Sequence, residues 1–209
     1  MAGIARTPAA VAAASLAVIA LAAGCTGNTP APAGPGTTTR SGTSLVVPAV
    51  SNPLDVSGFR DAPCRLIPER QARDLGRPVA QEERTGSRVA CHWRPSTDSN
   101  PMDFLDIVIY TGDGLAGIAR QCRSQIDCDS WTVDTIAGYP VVRANGRRES
   151  KYGFCKLFVG VADDVEFMVA DSDVDGIRKG TAEGSAGGPR CDRADHAATI
   201  VIQTLKDGR

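Results

Sequence analysis

The chain has 209 residues, with 23 lysines and arginines against 24 aspartates and glutamates and a formal net charge of -1. This balance creates no global field toward nucleic acid or anionic lipid, so binding to a phosphate backbone is not expected. Once low-complexity segments are set aside, the length suits one domain of roughly 150 residues, which is large enough for a hydrophobic core.

Residues 1–24 have the order of a secretory signal. A short start with one basic residue, Arg6, precedes an apolar run and then small residues that end at Cys25. The run is shorter than the roughly 20 apolar residues that span a bilayer. Small residues before a Cys resemble the lipobox of bacterial lipoproteins, in which the thiol is acylated, although Ala22 stands where leucine is usual. We therefore expect Cys25 to carry a lipid.

The alternative to a lipid anchor is ordinary secretion, since Ala20, Leu21 and Ala22 also fit a small-x-small cleavage site. The number of cysteines favours the anchor. The chain has seven, and an odd thiol is a liability in an oxidising compartment. Acylation of Cys25 leaves an even six, so the sequence predicts an exported protein held by its lipid at the outer face of the cell membrane, with membrane contact through Cys25.

Residues 25–56 are predicted to be the lipidated Cys and a flexible tether. The segment is rich in Thr, Ser, Pro and Gly and nearly without charge, so it cannot bury enough apolar surface to offset the entropy of ordering. O-linked sugars on its Thr and Ser residues are an alternative that composition alone supports little. Residues 57–209 are expected to form the folded domain.

The first expected elements of the domain are a short helix and two strands. Residues 64–76 place Pro68 in the first turn of a helix and Gly76 at its carboxyl-terminal cap. Alternation over Arg88–Arg94 predicts a half-buried strand with Cys91 facing the core, and residues 103–110 predict a second strand.

The later elements are expected to be two helices and two pairs of strands. They are a helix at 115–122, short strands at 131–137 and 139–144, a hairpin of strands at 153–162 and 165–171 that turns at Asp163 and Asp164, and a final helix with Ala194, Ala198, Val201 and Leu205 on one face. This order predicts a single α+β domain in which helices pack on an antiparallel sheet.

Six cysteines remain for the domain, and an exported protein meets an oxidant, so three disulfides out of 15 pairings are expected. They are Cys64, Cys91, Cys122, Cys128, Cys155 and Cys191. The sequence alone does not choose among the pairings. Geometry favours two long links, Cys64 with Cys91 and Cys155 with Cys191, because each would join the start of a helix to the core face of a strand. Cys122 and Cys128 would close a small loop.

A zinc site is the competing interpretation of the same residues. Cys91 with His92, and Cys191 with His196, offer sulfur and nitrogen ligands, but their spacing matches no zinc pattern, and strand alternation points His92 away from Cys91. None of the cysteines lies in C-x-x-C, which disfavours a redox-active pair. We expect no metal site from these residues and no cofactor.

Several segments together resemble a family of actinobacterial lipoproteins of unknown function, the domain of unknown function 3558, of the type that includes LprB and LprC. They are the APC-x-LIP helix start, the Cys91-x-Trp93 strand, VDTIAGYP, the GFCKLFVGVADDVEFMV hairpin and the CDRADHAATIVIQTL helix. The resemblance covers residues 60–206. It implies the pairings Cys64–Cys91 and Cys155–Cys191 and a single domain outside the membrane, whereas Cys122 and Cys128 look like an addition to the family pattern. It implies no reaction, substrate or catalytic residue.

One acidic motif suggests calcium. Asp171, Asp173 and Asp175, followed by Gly176, copy the first half of an EF-hand loop. The bidentate glutamate that should follow is replaced by Ala182, and a strand rather than a helix precedes the motif. An acidic, solvated loop is therefore the favoured interpretation.

The sequence contains no motif for nucleophilic catalysis, neither G-x-S-x-G nor H-E-x-x-H, and only two histidines. The leading hypothesis is therefore a non-enzymatic accessory or binding lipoprotein of the cell envelope, with an envelope protein, a glycan or a small ligand as partner. Carriage of a lipid or other apolar ligand is an alternative that requires an apolar cavity. An envelope hydrolase is disfavoured and would need a pocket that gathers His92 or His196 with carboxylates.

Overall fold

The structure is a computed structural model that describes residues 45–96, 100–124, 128, 130–146, 154–172 and 191–208. The expected signal, Cys25 and most of the expected tether lie outside the described residues. Asp173 and Asp175 of the expected calcium motif lie outside them as well.

The described residues form seven strands, three α-helices and one turn of 3₁₀ helix. The strands are β1 (Val79–Thr85), β2 (Arg88–Arg94), β3 (Phe104–Thr111), β4 (Ser130–Ile136), β5 (Tyr139–Asn145), β6 (Cys155–Ala162) and β7 (Val165–Ser172). The helices are the 3₁₀ helix (Pro63–Leu66), α1 (Glu69–Asp74), α2 (Gly114–Ser124) and α3 (Cys191–Asp207).

All seven strands belong to one antiparallel sheet in the order β1-β2-β3-β7-β6-β5-β4. Sequential hairpins account for β1 to β3 and for β4 to β7, and the pairing of β3 with β7 joins the two groups at the centre. The predicted single α+β domain, with helices packed on an antiparallel sheet, is confirmed.

One face of the sheet, here called the inner face, carries the main hydrophobic core. Trp93, Leu105 and Val169 on this face have at most 1% of their surface exposed, and α3 and the 3₁₀ helix pack over them. The predicted apolar face of α3 is buried: Ala194, Ala198 and Val201 are fully enclosed. Because nine of the 17 residues of α3 are buried, the helix covers this core with one broad apolar face.

The opposite face, here called the outer face, is covered by α2 over part of its width. Leu115 of α2 packs against Val142 and Phe158, and the helix contacts β6 and β7. Helix α2 approaches the sheet closely at two glycines. A Cβ on Gly160 would lie 2.9 Å from a methyl carbon of Leu115, and a Cβ on Gly114 (φ 52°) would lie 2.3 Å from the carbonyl oxygen of Asp163.

The disulfide-stapled architecture is present. The Cα atoms of Cys64 and Cys91 are 5.0 Å apart, those of Cys155 and Cys191 are 5.3 Å apart, and those of Cys122 and Cys128 are 5.3 Å apart. The first pair joins the 3₁₀ helix to β2 and the second joins α3 to β6. The third closes the loop that follows α2.

The structure differs from expectation in two elements. The expected first helix is divided into the 3₁₀ helix and α1, because Ile67 is extended (φ -116°, ψ 108°), as a residue before a proline prefers. Strand β1 was not expected, since each of its residues is exposed and no apolar alternation marks it.

The folded part also begins earlier than residue 57. Val47 and Val50 pack on the two hydrophobic clusters, and the backbone N–H of Leu54 donates to Val161 at 2.8 Å. Residues 47–56 therefore lie on the domain rather than in a free tether. In the described part of the chain, no helix is sufficiently long and apolar to cross a bilayer.

Candidate functional site on the outer face of the sheet

The outer face of β1, β2, β3 and β7 carries a set of charged and aromatic side chains, here called the outer-face cluster. It consists of Glu83, Arg88, His92, Arg94, Asp106, Tyr110 and Glu166. Strand register brings them together, because His92 is paired with Asp106 across β2 and β3, and Tyr110 is paired with Glu166 across β3 and β7. Such cross-strand neighbours interact directly.

His92 lies between two carboxylates. Its Nδ1 is 2.8 Å from Oδ1 of Asp106, and its Nε2 is 3.2 Å from Oε2 of Glu83. The second contact has the distance of an ion pair but not the alignment of a hydrogen bond, since Nε2 is buried and has no hydrogen-bond partner among the residues described. His92 and Asp106 are both mostly shielded, with 19% and 18% of their side chains exposed, whereas Glu83 is mostly exposed.

Burial controls the chemistry of Asp106. Removal from water raises the pKa of its carboxyl group above the usual value, and the neighbouring His92 and then Arg94 oppose that shift. The Nη1 atom of Arg94 is 3.4 Å from Oδ1 of Asp106, and its guanidinium lies 5.2 Å from the centre of the Phe104 ring. Asp106 thus shares its charge between an imidazole and a guanidinium.

Glu166 and Tyr110 form the second part of the cluster. Only 5% of Glu166 is exposed, and this burial raises the pKa of its carboxyl group to about 7, with a smaller contribution from Asp113. Its Oε2 has no hydrogen-bond partner among the described residues. Burial also raises the pKa of Tyr110, over whose ring the Arg88 guanidinium lies at 5.1 Å.

Small and apolar side chains separate these two parts. Ala90 pairs with Val108, and Val108 pairs with Met168, so this row crosses the sheet between the His92 and the Tyr110 rows. Val108 is buried and the other two are partly exposed. A row of apolar side chains therefore lies between the His92 row and the Tyr110 row. Beside each of these two polar rows, an arginine lies over an aromatic ring.

This geometry favours binding over catalysis. Both contacts of the His92 imidazole are with carboxylates, so the ring is held rather than aimed at a hydroxyl or thiol nucleophile. The histidine and carboxylates that the hydrolase hypothesis requires are therefore brought together, but on an open sheet face. Half-buried charges and an unpaired carboxylate oxygen are groups that a bound ligand would satisfy.

Sequence reasoning did not find this cluster. Alternation placed His92 on the outer face, but its partners depend on the register of β3, and Glu166 meets Tyr110 only because β7 lies beside β3. The signal that the sequence offered was a charged residue inside an otherwise apolar strand, at a position that alternation places on the outer face. Glu166 in VEFMVA is an example. Such a residue is unusual where both faces of a strand are covered.

Asp171, the first residue of the expected calcium motif, lies at the end of β7 with 1% of its side chain exposed. Its Oδ1 accepts a hydrogen bond from Nε of Arg193 at 2.8 Å. Nearby, Arg77 forms a buried ion pair with Asp103, and it also donates to the carbonyl of Ser172 at 3.3 Å. Of these pairs, Arg193–Asp171 links the start of α3 to the end of β7, so Asp171 is engaged with an arginine.

The residues of the zinc alternative are dispersed. Cys91 and Cys191 belong to different disulfides, His92 lies on the outer face, and His196 is exposed on α3. Within the described residues, no three His, Cys, Asp or Glu side chains are placed to hold a metal ion.

A pocket of about 250 Å³ lies where residues 47–50 cross the start of α2. Val47, Val50, Leu115 and Ala162 give it an apolar lining, and Asp163 lies at its side. It is half open and smaller than the roughly 300 to 1,000 Å³ of most ligand sites. The apolar side chains between α3 and the sheet are fully enclosed, so the carrier hypothesis gains no support from the core.

Comparison with known proteins identifies one family. Its description is "Protein of unknown function (DUF3558)", and its model matches residues 20–204. No curated protein and no solved structure matches the chain.

Proposed function

The chain belongs to the DUF3558 family of proteins of unknown function, and we propose that it is an exported lipoprotein with a non-enzymatic binding domain. Within that family, the segments it shares with the LprB and LprC type support an actinobacterial envelope lipoprotein. The proposal has two parts, the anchor at Cys25 and the binding role of the outer-face cluster, and each has its own test.

The anchor is supported by the pattern of residues 1–25 and by the cysteine pairs. The chain has seven cysteines, and three disulfides use six of them. Cys25 is the one that remains, and it directly follows the apolar run and small residues of the signal. Acylation would give this thiol a covalent partner, and two or more acyl chains on one residue give stable attachment to a membrane.

The distance from the anchor to the domain follows from the intervening chain. Residues 26–44 are rich in Thr, Pro and Gly, and an extended chain of this kind gains about 3.1 Å per residue, so it would reach about 60 Å. The domain would therefore be held within about 60 Å of the membrane surface. A tethered domain of this kind is suited to meeting partners within the envelope.

The single observation that carries the binding role is the outer-face cluster. Charged groups inside a sheet cost free energy unless they are paired, and in the part of the chain that the structure describes the Oε2 atom of Glu166 has no hydrogen-bond partner. The flanking arginines on aromatic rings, Arg94 on Phe104 and Arg88 on Tyr110, offer both donors and flat apolar surface. A polar ligand with apolar faces, such as a glycan or a peptide segment, would complement this surface.

The anchor is tested by metabolic labelling with palmitate. The full chain should incorporate label and sediment with membranes, and Cys25→Ser should do neither while still exporting a folded domain with three disulfides. A Cys25→Ser chain that retains the label, or an unlabelled parent chain, would contradict the anchor and favour ordinary secretion.

The binding role is tested by photo-crosslinking in intact cells. A photoreactive residue at Gln81, which pairs with His92 at the edge of the cluster, should give a discrete adduct. The matched control is Gln203, an exposed glutamine on α3, which should give none. Adding Arg94→Ala with Tyr110→Ala should reduce the Gln81 adduct at least severalfold. Equal adducts from both positions would remove the cluster as the binding surface.

A further inference from the structure

The two edges of the sheet differ in their protection against pairing. A sheet edge exposes unpaired backbone N–H and C=O groups, and natural edges are guarded by charges, proline or bulges. Strand β1 carries Glu82, Glu83 and Arg84 in succession. Strand β4 has the sequence SWTVDTI, with Asp134 as its one charged residue.

Strand β4 is also accessible. The four residues from Thr132 to Thr135 are exposed, and Val133 has 41% of its surface exposed, which places it among the few large exposed hydrophobic side chains. A seven-residue edge with high β propensity and one charge is the kind of strand that accepts another strand.

The sequence of β4 is complementary to itself. An antiparallel arrangement with a two-fold axis through Val133 pairs all seven residues with those of a second strand. Val133 then faces Val133, Thr132 faces Asp134, Trp131 faces Thr135 and Ser130 faces Ile136. No two like charges are opposed in this register. The two Asp134 carboxylates are diagonal neighbours at roughly 7 to 8 Å, and each lies beside an arginine of its own chain, since Nη2 of Arg143 is 3.6 Å from Oδ2 of Asp134.

The number of paired residues and the charges together favour this register over the one centred on Asp134, and this edge over the same operation on β1. Moving the axis to Asp134 would oppose two aspartates directly, which is destabilising. The same operation on β1, centred on its middle residue, would oppose Glu82 with Glu82. We propose that β4 pairs with β4 of a second copy of the chain, so that the two seven-stranded sheets become one continuous sheet.

The proposed pairing of two β4 strands forms a closed dimer. A two-fold interface uses the same surface on both copies, and the remaining edges of the dimer are the two charged β1 strands. The assembly therefore stops at two chains rather than growing into a fibre. If the chains share a membrane through their tethers, their local concentration favours the dimer further.

The test is disulfide formation between full chains in cells. Val133→Cys places two thiols opposite each other on the axis, at a separation that a disulfide can bridge, and it should give a dimer on a non-reducing gel. Thr135→Cys is the control on the same edge, because two such thiols would be displaced by four residues, or about 14 Å. Glu82→Cys is the control on the other edge, because it lies at the centre of β1 and two such thiols would face each other if β1 paired with itself in the same way. Both should stay monomeric.

A second pair of variants tests the same register without changing Val133, the residue on the axis. Chains with Thr132→Cys and chains with Asp134→Cys, carrying different tags, should crosslink when expressed together and much less when each is expressed alone. In the parent chain, Val133→Lys opposes two lysines on the axis, and it should reduce dimer captured by a lysine-independent chemical crosslinker at least tenfold.

Three outcomes would overturn the proposal. One is the absence of dimer from both the Val133→Cys chain and the mixed pair, while a maleimide labels each new thiol in the folded protein. Another is equal dimer from Glu82→Cys and Val133→Cys. The third is an adduct of Val133→Cys whose mass is that of a different protein, which would identify a foreign strand as the occupant of the edge.

Discussion

At the scale of the residue, Glu166 should make stability depend on pH. Its pKa is raised to about 7 in the folded protein by burial, above the value of about 4.3 in an unfolded chain. The folded state therefore binds the extra proton between these values, and the free energy of unfolding falls as pH rises through that range. The loss is almost complete by about pH 7.5, and it amounts to up to about 4 kcal/mol.

We expect Glu166→Gln to remove this fall. Urea unfolding at pH 5, 6, 7 and 8 should show the variant gaining stability relative to the parent chain as pH rises, with the gain level above about pH 7.5. Glu82→Gln, at an exposed position of β1, should give parallel curves. A constant difference between Glu166→Gln and the parent at all four pH values would show that Glu166 does not titrate in this range.

Arg193 should contribute to stability through Asp171. The Asp171 carboxylate is buried against the Arg193 guanidinium, and breaking a buried ion pair by removing one partner costs about 3 to 5 kcal/mol. Because Arg193 is partly exposed, we expect Arg193→Met to lower the free energy of unfolding by about 3 kcal/mol, the lower end of that range.

The matched control for this substitution is Arg73→Met. Arg73 pairs with Glu69 one helical turn away on α1, and both side chains are mostly exposed. Exposed pairs of this kind contribute roughly 0.3 to 0.5 kcal/mol. Chemical denaturation of the two variants should separate them clearly, and equal losses would mean that the Asp171 pair is as dispensable as a surface pair.

At the scale of the element, the disulfides should differ in what they contribute. Loop-entropy estimates give about 4 kcal/mol for each long link and about 2 kcal/mol for the short one. We expect Cys155→Ala with Cys191→Ala to destabilise the domain about twice as much as Cys122→Ala with Cys128→Ala. Thermal unfolding of both double variants measures this difference. A larger loss from the short link would mean that the disulfide between α3 and β6 is not the more stabilising of the two.

The elements that could be predicted are those with a burial pattern. Strand β2 matches its predicted bounds because Val89, Cys91 and Trp93 alternate with less buried residues, and α3 begins at Cys191 as expected, with its apolar face buried. Strand β1 has no buried residue. Its position is set by hydrogen bonds to β2, and the apolar pattern of the sequence does not show these bonds.

The candidate site could not be predicted from the sequence, for a related reason. Which side chains share a face follows from alternation, but which of them meet follows from strand order. The pairing of β3 with β7 joins residues more than 50 positions apart in the chain, Tyr110 and Glu166, and a sequence without that topology does not show that they meet. The cysteine pairs were easier, because each long link joins the start of a helix to a core-facing strand position.

At the scale of the whole molecule, the boundary between tether and domain affects stability. Composition placed it at residue 57, because the preceding segment is rich in Thr, Ser, Pro and Gly and nearly without charge. The structure instead lays residues 47–56 along the sheet, with Val56 6% exposed and the N–H of Leu54 bonded to Val161. Local sequence does not show this packing, since the partner surface of β6 and α2 forms only in the folded domain.

We therefore expect a chain that begins at residue 57 to be less stable than one that begins at residue 45. The shorter chain lacks Val56, which is buried, and Val50 and Leu54, which are partly buried against the core. At about 1.5 to 3 kcal/mol for a fully buried aliphatic side chain and less for the others, the loss should be about 3 kcal/mol. Urea unfolding of the two chains, with Val50→Ala in the longer one as an intermediate case, measures the difference. Equal stability would mean that residues 47–56 rest on the domain without supporting it, and that the tether effectively extends to the first helix.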